Sequence, residues 1–289
     1  MPGTRPNPTA SRRALAARLR RLRIAAGKSA EDAARELMVS ASKISRLESG
    51  DRAPQPRDVR DLARFYGASP EDVQQLQELV LESRRKGWWS HYGTRDEQVE
   101  VFIGLESVAT RIDAYENLRW PGLLQIPDVT RAVLDPLKHS ENLSTDFIED
   151  QVKLRGERQQ RLLDGRLALH AIMDESVFRR HFPPGVAERQ MRHLTDLCRA
   201  LDNLTVQVVP FSVGPYLGMD GAFWILRDSE VVDSEDLVVV EGVSDSSFIY
   251  RSAQVRIYRD LFTSISRSQA LGENESLAWI ERCARQRKD

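Results

Sequence analysis

The sequence predicts an N-terminal all-α five-helix domain followed by a C-terminal mixed α/β domain, and three observations carry that expectation. At 289 residues the chain suits two domains better than one or three. Charge is split along it: residues 1–90 hold 18 Lys+Arg against 11 Asp+Glu and the remainder 24 against 32, so a half of net +7 is joined to one of net −8. Apolar residues recur at helical spacing as far as residue 84, after which helical patterns alternate with β-rich runs. The expected organisation is a disordered arm over 1–10, a helical domain over 11–84, a linker over 85–96 and the α/β domain over 97–289.

The arm is rich in Pro, Thr, Asn and Gly. From Ser11 a first helix begins, with Leu15, Leu19, Leu22 and Ala26 along one face, Arg12, Arg13, Arg20 and Arg23 along the other, and Gly27 as its left-handed stop. Ser29 caps a second helix that runs through Met38, with Asp32 placed to close a capping box. A third starts at Ser40 and ends before Gly50. Val59, Leu62, Ala63 and Tyr66 form the stripe of a fourth. Ser69-Pro70-Glu71-Asp72 supplies the cap, first-turn proline and acidic first turn of a fifth, whose inward residues are Val73, Leu76 and Val80.

The second and third helices carry the informative spacing. Ala34, Val39, Ile44 and Leu47 fall where two helices crossing steeply around a tight turn need a small residue at the close approach and aliphatics at the lock. In these residues the stretch KSAEDAARELMVSASKISRLESGDRAP resembles the lambda-repressor-like, XRE-type helix-turn-helix regulators, and the likeness covers about residues 12–84. Met38 stands where that family usually has glycine, so a turn reshaped or strained by about 1 kcal/mol is expected.

The resemblance implies a sequence-specific DNA-binding transcriptional regulator whose third helix lies in the major groove of double-stranded DNA. Ser40, Ala41, Ser42, Lys43, Ser45 and Arg46 are then the candidate contacts, with Lys43 suited to guanine O6 or N7 and Arg46 open between base and backbone. Lys28, Ser29 and Arg52 read as phosphate clamps, because helix N-termini and loop cations suit anions. Glu48 is expected to pair with a neighbouring cation, since phosphates repel a carboxylate. For any one of the cations taken alone, a solvated surface charge is the competing explanation. A homodimer on an inverted-repeat operator is expected, because one small helix-turn-helix contacts few bases.

Lys86-Gly87-Trp88-Trp89-Ser90-His91-Tyr92 joins the halves, its tryptophans serving either as a ligand platform or as packing for the linker. Beyond it, helices are expected at 97–112, 127–136, 144–164, 184–201, 252–267 and 273–286, and strands at 167–173, 204–210, 222–227 and 237–242. This half shows no phosphate loop, dinucleotide fingerprint, nucleophile elbow or zinc-protease motif, so no catalytic, cofactor or metal residues are assigned and no enzyme is expected. The five histidines are scattered, and Cys198 and Cys283 read as reduced thiols. Glu106, Arg155, Arg158, Asp174 and Glu175 either converge on a polar pocket or serve as structural ion pairs. With no apolar leader and no run near 18 uncharged apolar residues, a cytoplasmic protein without a membrane partner is expected.

Four segments, YENLRWPGLLQIPDVTRAVL (115–134), QVKLRGERQQRLL (151–163), IMDESVFRR (172–180) and VQVVPFSVGPYLGMDGAFWIL (206–226), carry a second resemblance. Together they look like the C-terminal domain of uncharacterised function in the actinomycete WhiJ-like, antitoxin-like regulators, over about residues 98–284. That likeness implies a regulator often encoded beside a small partner protein that controls it. A metabolite-sensing regulator is the alternative, and an enzyme with a DNA-binding appendage a third; an exposed hydrophobic patch favours the partner, an apolar pocket the metabolite and perturbed titratable groups in a cleft the enzyme.

Overall fold

The computed structural model describes residues 5–50, 52–94, 96–140, 143–227, 236–242 and 246–286. The chain forms two compact units, the first ending at Val108 and the second beginning at Ala109. The first unit contains α1 (Pro8–Ala25), α2 (Ala30–Glu36), α3 (Ala41–Glu48), α4 (Pro56–Phe65), α5 (Pro70–Glu82) and α6 (Glu97–Glu106). Leu15, Leu19, Ala33, Ile44, Leu47, Val59, Leu62, Leu76 and Val80 close its core, with one apolar stripe drawn from each of α1 to α5.

The helix start expected at Ser11 lies earlier. Asn7 Oδ1 accepts from Ala10 N at 3.0 Å and Pro8 follows at the first helical position, so the Asn-Pro pair is itself a cap. Residues 8–10 are therefore helical and Thr9 and Ala10 buried, which corrects the disordered arm over that part; residues 1–4 lie outside the described residues. Asn7 Nδ2 also donates to Gly104 O at 2.8 Å and to Ser107 Oγ at 2.9 Å, tying α6 to the start of α1. A methyl group on Gly104 would sit 2.6 Å from Thr9 Cβ, so the close approach of these helices requires glycine there. Trp89 is fully buried in the same unit.

The turn between α2 and α3 has the left-handed residue that its sequence implied: Met38 has φ +52° and is exposed. Its neighbours hold the geometry, Met38 N donating to Arg35 O at 3.2 Å and Val39 N to Ala34 O at 2.9 Å. Strain of about 1–2 kcal/mol for a left-handed residue with a side chain exceeds the about 0.5–1 kcal/mol of extra chain entropy that glycine loses on folding. Met38→Gly is accordingly expected to stabilise this unit by about 0.5–1 kcal/mol in urea denaturation, and a loss of stability would show that the methionine makes a compensating contact.

The second unit is built on a six-stranded sheet in the order β3-β2-β1-β4-β5-β6. Its strands are β1 (Arg111–Glu116), β2 (Ala168–Asp174), β3 (Leu204–Val209), β4 (Phe223–Arg227), β5 (Leu237–Glu241) and β6 (Ser246–Ile249). β1, β2 and β3 run parallel, and β4 to β6 continue antiparallel from β1. The helices α7 (Pro127–Leu134), α8 (Leu137–Ser140) and α9 (Thr145–Leu163) link β1 to β2, and α10 (Glu175–Arg179) and α11 (Val186–Ala200) link β2 to β3. α12 (Ser252–Ser268) covers the face carrying Tyr115, Ile172, Val209, Phe223, Ile225 and Val238, and α13 (Glu273–Gln286) packs on α11. The outer edge of β3 is closed, since Val208 N donates to Ser276 Oγ at 3.0 Å and Val208 O accepts from Leu271 N at 2.9 Å.

The helix expected over 97–112 stops at Glu106, and the central strand β1 follows it. β1 is buried from Ile112 to Glu116 and so lacks the alternation that marks a half-exposed strand. Its interior Asp113 is neutralised by Arg111 Nε at 3.0 Å and by Arg227. Of the polar residues expected to converge in the second half, Arg155, Asp174 and Glu175 are held by separate partners. Glu106 belongs to the first unit, Arg155 bonds Gln125 and Thr130, and Asp174 and Glu175 are engaged by Tyr216, Arg179 and the Phe211 amide.

Candidate nucleic-acid interface

The candidate surface is α3, and its seating comes from partners that periodicity alone assigned to solvent. Arg23 lies on the face of α1 opposite its apolar stripe, yet its Nε stands 3.0 Å from both carboxylate oxygens of Glu48, and its Nη1 donates to Lys28 O at 2.9 Å. Tyr66 OH donates to Glu48 Oε1 at 3.1 Å, so one buried carboxylate joins α1, α3 and the end of α4. Burial and the adjacent Glu48 charge push the Tyr66 phenol well above its usual range, leaving it a donor. Arg13 Nη1 donates to Ser49 O at 2.9 Å at the C-terminal end of α3. The expectation that Glu48 pairs with a cation is met by this geometry.

Around that anchor the predicted site residues fall into two groups. Ser42, Ser45 and Arg46 are exposed along α3, opposite the buried Ile44 and Leu47. Arg52 is exposed beyond the helix, its amide donating to Arg46 O at 3.1 Å. Lys28 is exposed with Nζ 5.2 Å from the centre of the Phe65 ring. These five present free surface to a partner.

The others are engaged within the domain. Lys43 Nζ lies 2.6 Å from Asp58 Oδ2 in the first turn of α4, at 21% and 18% side-chain exposure. Ala41 packs against the core. Ser40 Oγ accepts from Lys43 N at 3.2 Å as the cap of α3. Ser29 donates through both its amide and its hydroxyl to Asp32 Oδ2 at 2.8 Å, completing the capping box. The Ser29 amide and hydroxyl hold the half-exposed Asp32 carboxyl down to about 2, so the N-terminus of α2 already carries its own anion. Nothing in the sequence pairs Asp58 with Lys43, because the contact is made between two different helices.

Among the described residues no group of His, Cys, Asp or Glu could hold a metal ion, and no helix is long and apolar enough to cross a membrane. Neither Cys198 nor Cys283 is in a disulfide, and burial pushes the Cys198 thiol up to about 12.

Comparison with known families assigns residues 14–76 to a helix-turn-helix domain, spanning most of α1 through the first half of α5. That domain supports DNA binding and transcription regulation. Neither the curated proteins nor the solved structures contain a match to the chain. The second match runs from within α6 to within α13 and so takes in the whole sheet of the second unit. Because it covers residues 99–282, well over half of the chain, the protein belongs to the family described as a domain of unknown function (DUF5753), joined at its N-terminal side to a helix-turn-helix domain.

Proposed function

We propose that this protein is a sequence-specific, XRE-type transcriptional regulator that places α3 in the major groove of an operator. The observation that carries the reading is the exposed row Ser42, Ser45 and Arg46 on a short helix held from behind by the Arg23, Glu48 and Tyr66 network. Arg46 is assigned to base edges, the two serines to bases or phosphates, and Lys28 and Arg52 to phosphates. The ion pair with Asp58 favours Lys43 as the tether that aims α3 rather than as its guanine reader. Ser29, Ser40 and Ala41 serve the same surface as caps and packing.

The reading continues to a homodimer on an inverted repeat, because the few outward residues of one α3 span too few base pairs for selectivity. The second unit is assigned to dimerisation and to control by a small partner protein, in the manner of the WhiJ-like, antitoxin-like regulators that segments 115–134 and 206–226 resemble. No catalytic role or cofactor is assigned to it, and the protein is placed in the cytoplasm.

Selection from random duplex DNA by the full chain, followed by titration of the recovered site, tests the DNA reading. Arg46→Ala is expected to cost about 1–3 kcal/mol and relax preference at one base pair, whereas Arg52→Ala weakens all sequences alike and lowers the salt slope by about 1. Wild-type binding by Arg46→Ala beside lost preference in Lys43→Ala would return the base contact to Lys43.

A further inference from the structure

All but the first two residues of α6 fall within residues 99–282 matched to the DUF5753 family, yet the helix belongs to the first compact unit. What fastens it there is a clasp at the start of α1. Ser107 Oγ, which accepts from Asn7 Nδ2, donates in turn to Gly104 O at 3.0 Å, so the Asn7 amide grips the end of α6 at two linked points. A methyl group on Gly104 would also lie 2.7 Å from the Thr9 hydroxyl and 3.0 Å from the Trp89 ring, so α1, α6 and Trp89 meet at one corner. Trp88 N donates to Pro6 O at 3.1 Å and closes that corner. The fully buried Trp89 ring is thus spent on packing the clasp.

The chain beyond α6 has no slack. Thr110 N donates to Arg227 O at 3.2 Å and Thr110 O accepts from Ala168 N at 2.8 Å, so β4 and β2 already hold the chain one residue before β1 begins. Only Val108 and Ala109 separate these bonds from the clasp, and two residues reach at most about 7 Å. Domain boundaries ordinarily fall in exposed, polar, flexible linkers, whereas this one is an apolar pair with Ala109 buried. Along α6 itself Phe102 to Glu106 are five successive buried residues, more than the single stripe of a surface helix.

α1 carries the connection on to the groove-facing helix. Arg13 holds Ser49 O and Arg23 holds Glu48, so the start of β1, α6, α1 and α3 form one bonded series. We infer that α6 is the coupling element of this protein: a helix of the DUF5753 region built into the DNA-binding fold, so that operator occupancy at α3 and the ordering of β1 favour one another. Coupling of this kind is reciprocal, so a ligand or partner that orders β1 strengthens operator binding by the same factor by which the operator strengthens its own. The inference rests on the DNA reading above for its effector, while the clasp is measured without DNA and so is judged separately.

Hydrogen exchange of the full chain, with and without the operator recovered by selection, is the test. At free operator about 100 times its dissociation constant, an amide that opens only with the DNA-binding unit exchanges about 100-fold more slowly. That slowing is expected in α1 and equally in α6, with a slowing of at least about threefold in the first residues of β1. Asn7→Asp keeps the acceptor that caps α1 and loses the amide donor to α6, and Gly104→Ala puts a methyl against Thr9. In each variant the operator is expected to slow α1 as in the wild type, α6 at least about tenfold less, and β1 not at all. Because α1 is read in the same chain, it shows that the variant folds and binds. An α6 left unchanged by operator in the wild type, or a slowing of β1 that survives both variants, would overturn the inference. Recovery of no operator would sink the DNA reading alone, since exchange of the free chain in urea reads the same clasp. There α6 is expected to share the urea dependence of α1, and an α6 that opens with the sheet instead overturns the inference.

Discussion

Replacing Glu48 with alanine is expected to destabilise the helix-turn-helix unit by about 3 kcal/mol. The carboxylate is buried and receives Arg23 Nε on both oxygens and Tyr66 OH on one, so its removal strands a mostly buried guanidinium and a phenol together. Removing one partner of a buried pair costs about 3–5 kcal/mol, and the lower end applies because Arg23 keeps its bond to Lys28 O and some access to water. Glu48→Gln retains one acceptor oxygen for Tyr66 and Arg23 but loses the charge and turns the other oxygen into a donor, so about 1–3 kcal/mol is expected. The double variant Arg23→Met/Glu48→Met should recover most of the loss, since no charge is left buried. Hydrogen exchange of the full chain, read over residues 8–82, measures all three. Equal protection in wild type and Glu48→Ala would show that the network does not hold α3. Operator affinity should fall with protection, because the groove-facing side chains of α3 are placed only as well as the helix is seated.

The helical unit was legible because its determinants are local. Ser29 with Asp32, Ser40, and Ser69 with Pro70 mark helix starts within four residues, and the apolar stripes follow a single period. Asn7-Pro8 carries the same kind of signal, but it is set in a polar, proline-rich composition that by itself points to a disordered arm. In the second unit, β2 to β5 follow apolar runs and were anticipated within a residue or two. β1 was not, because it is buried on both faces and its acidic residues Asp113 and Glu116 are partnered by residues from β4, more than a hundred positions away. β6 is short and half-exposed, and its Ser246–Ile249 sequence has little to separate it from a loop.

The site was legible as a surface and less so as a set of side-chain roles. Ile44 and Leu47 fix which face of α3 is inward, so Ser42, Ser45 and Arg46 follow as outward. Which cations remain free depends on tertiary partners, and those have no periodicity: Lys43 is held by Asp58, Arg23 by Glu48 and Arg13 by the Ser49 carbonyl. Two of the four arginines placed on the solvent face of α1 thus support α3 instead. The same holds in the second unit, where Tyr115, Asp174 and Tyr216 are widely separated in the chain and meet only because β3 and β4 flank the other two strands.

The largest dependence on pH is expected at Glu116. This carboxyl ends the central strand β1, fully enclosed, with Trp224 Nε1 donating to Oε1 at 2.8 Å and Oε2 without a hydrogen-bond partner among the described residues. Burial pushes it up to about 8; the Trp224 bond opposes that rise, the Glu241 carboxylate adds to it and Arg119 offsets part. In the unfolded chain the same group ionises near its ordinary 4.5. Below that pH both states hold the proton and the group does not bias folding. Between about 4.5 and about 8 only the folded state holds it, so stability falls as pH rises, and above about 8 the loss is complete. Charging the carboxyl inside a rigid enclosure would cost at most about 5 kcal/mol, and with relaxation around the charged form about 2 kcal/mol is expected. Glu116→Gln keeps the acceptor for Trp224 and cannot ionise, though its amide inherits a site without a partner, at a cost of about 1–3 kcal/mol. The variant should therefore be no more stable than wild type at pH 5 and gain on it by about 2 kcal/mol between pH 5 and pH 8. Because all other titrating groups are common to both proteins, the difference in urea unfolding, followed by exchange protection across β1 and β4, isolates this carboxyl. Parallel stability profiles for the two proteins over that range would mean that Glu116 is already charged when folded and that its enclosure is weaker than the geometry implies.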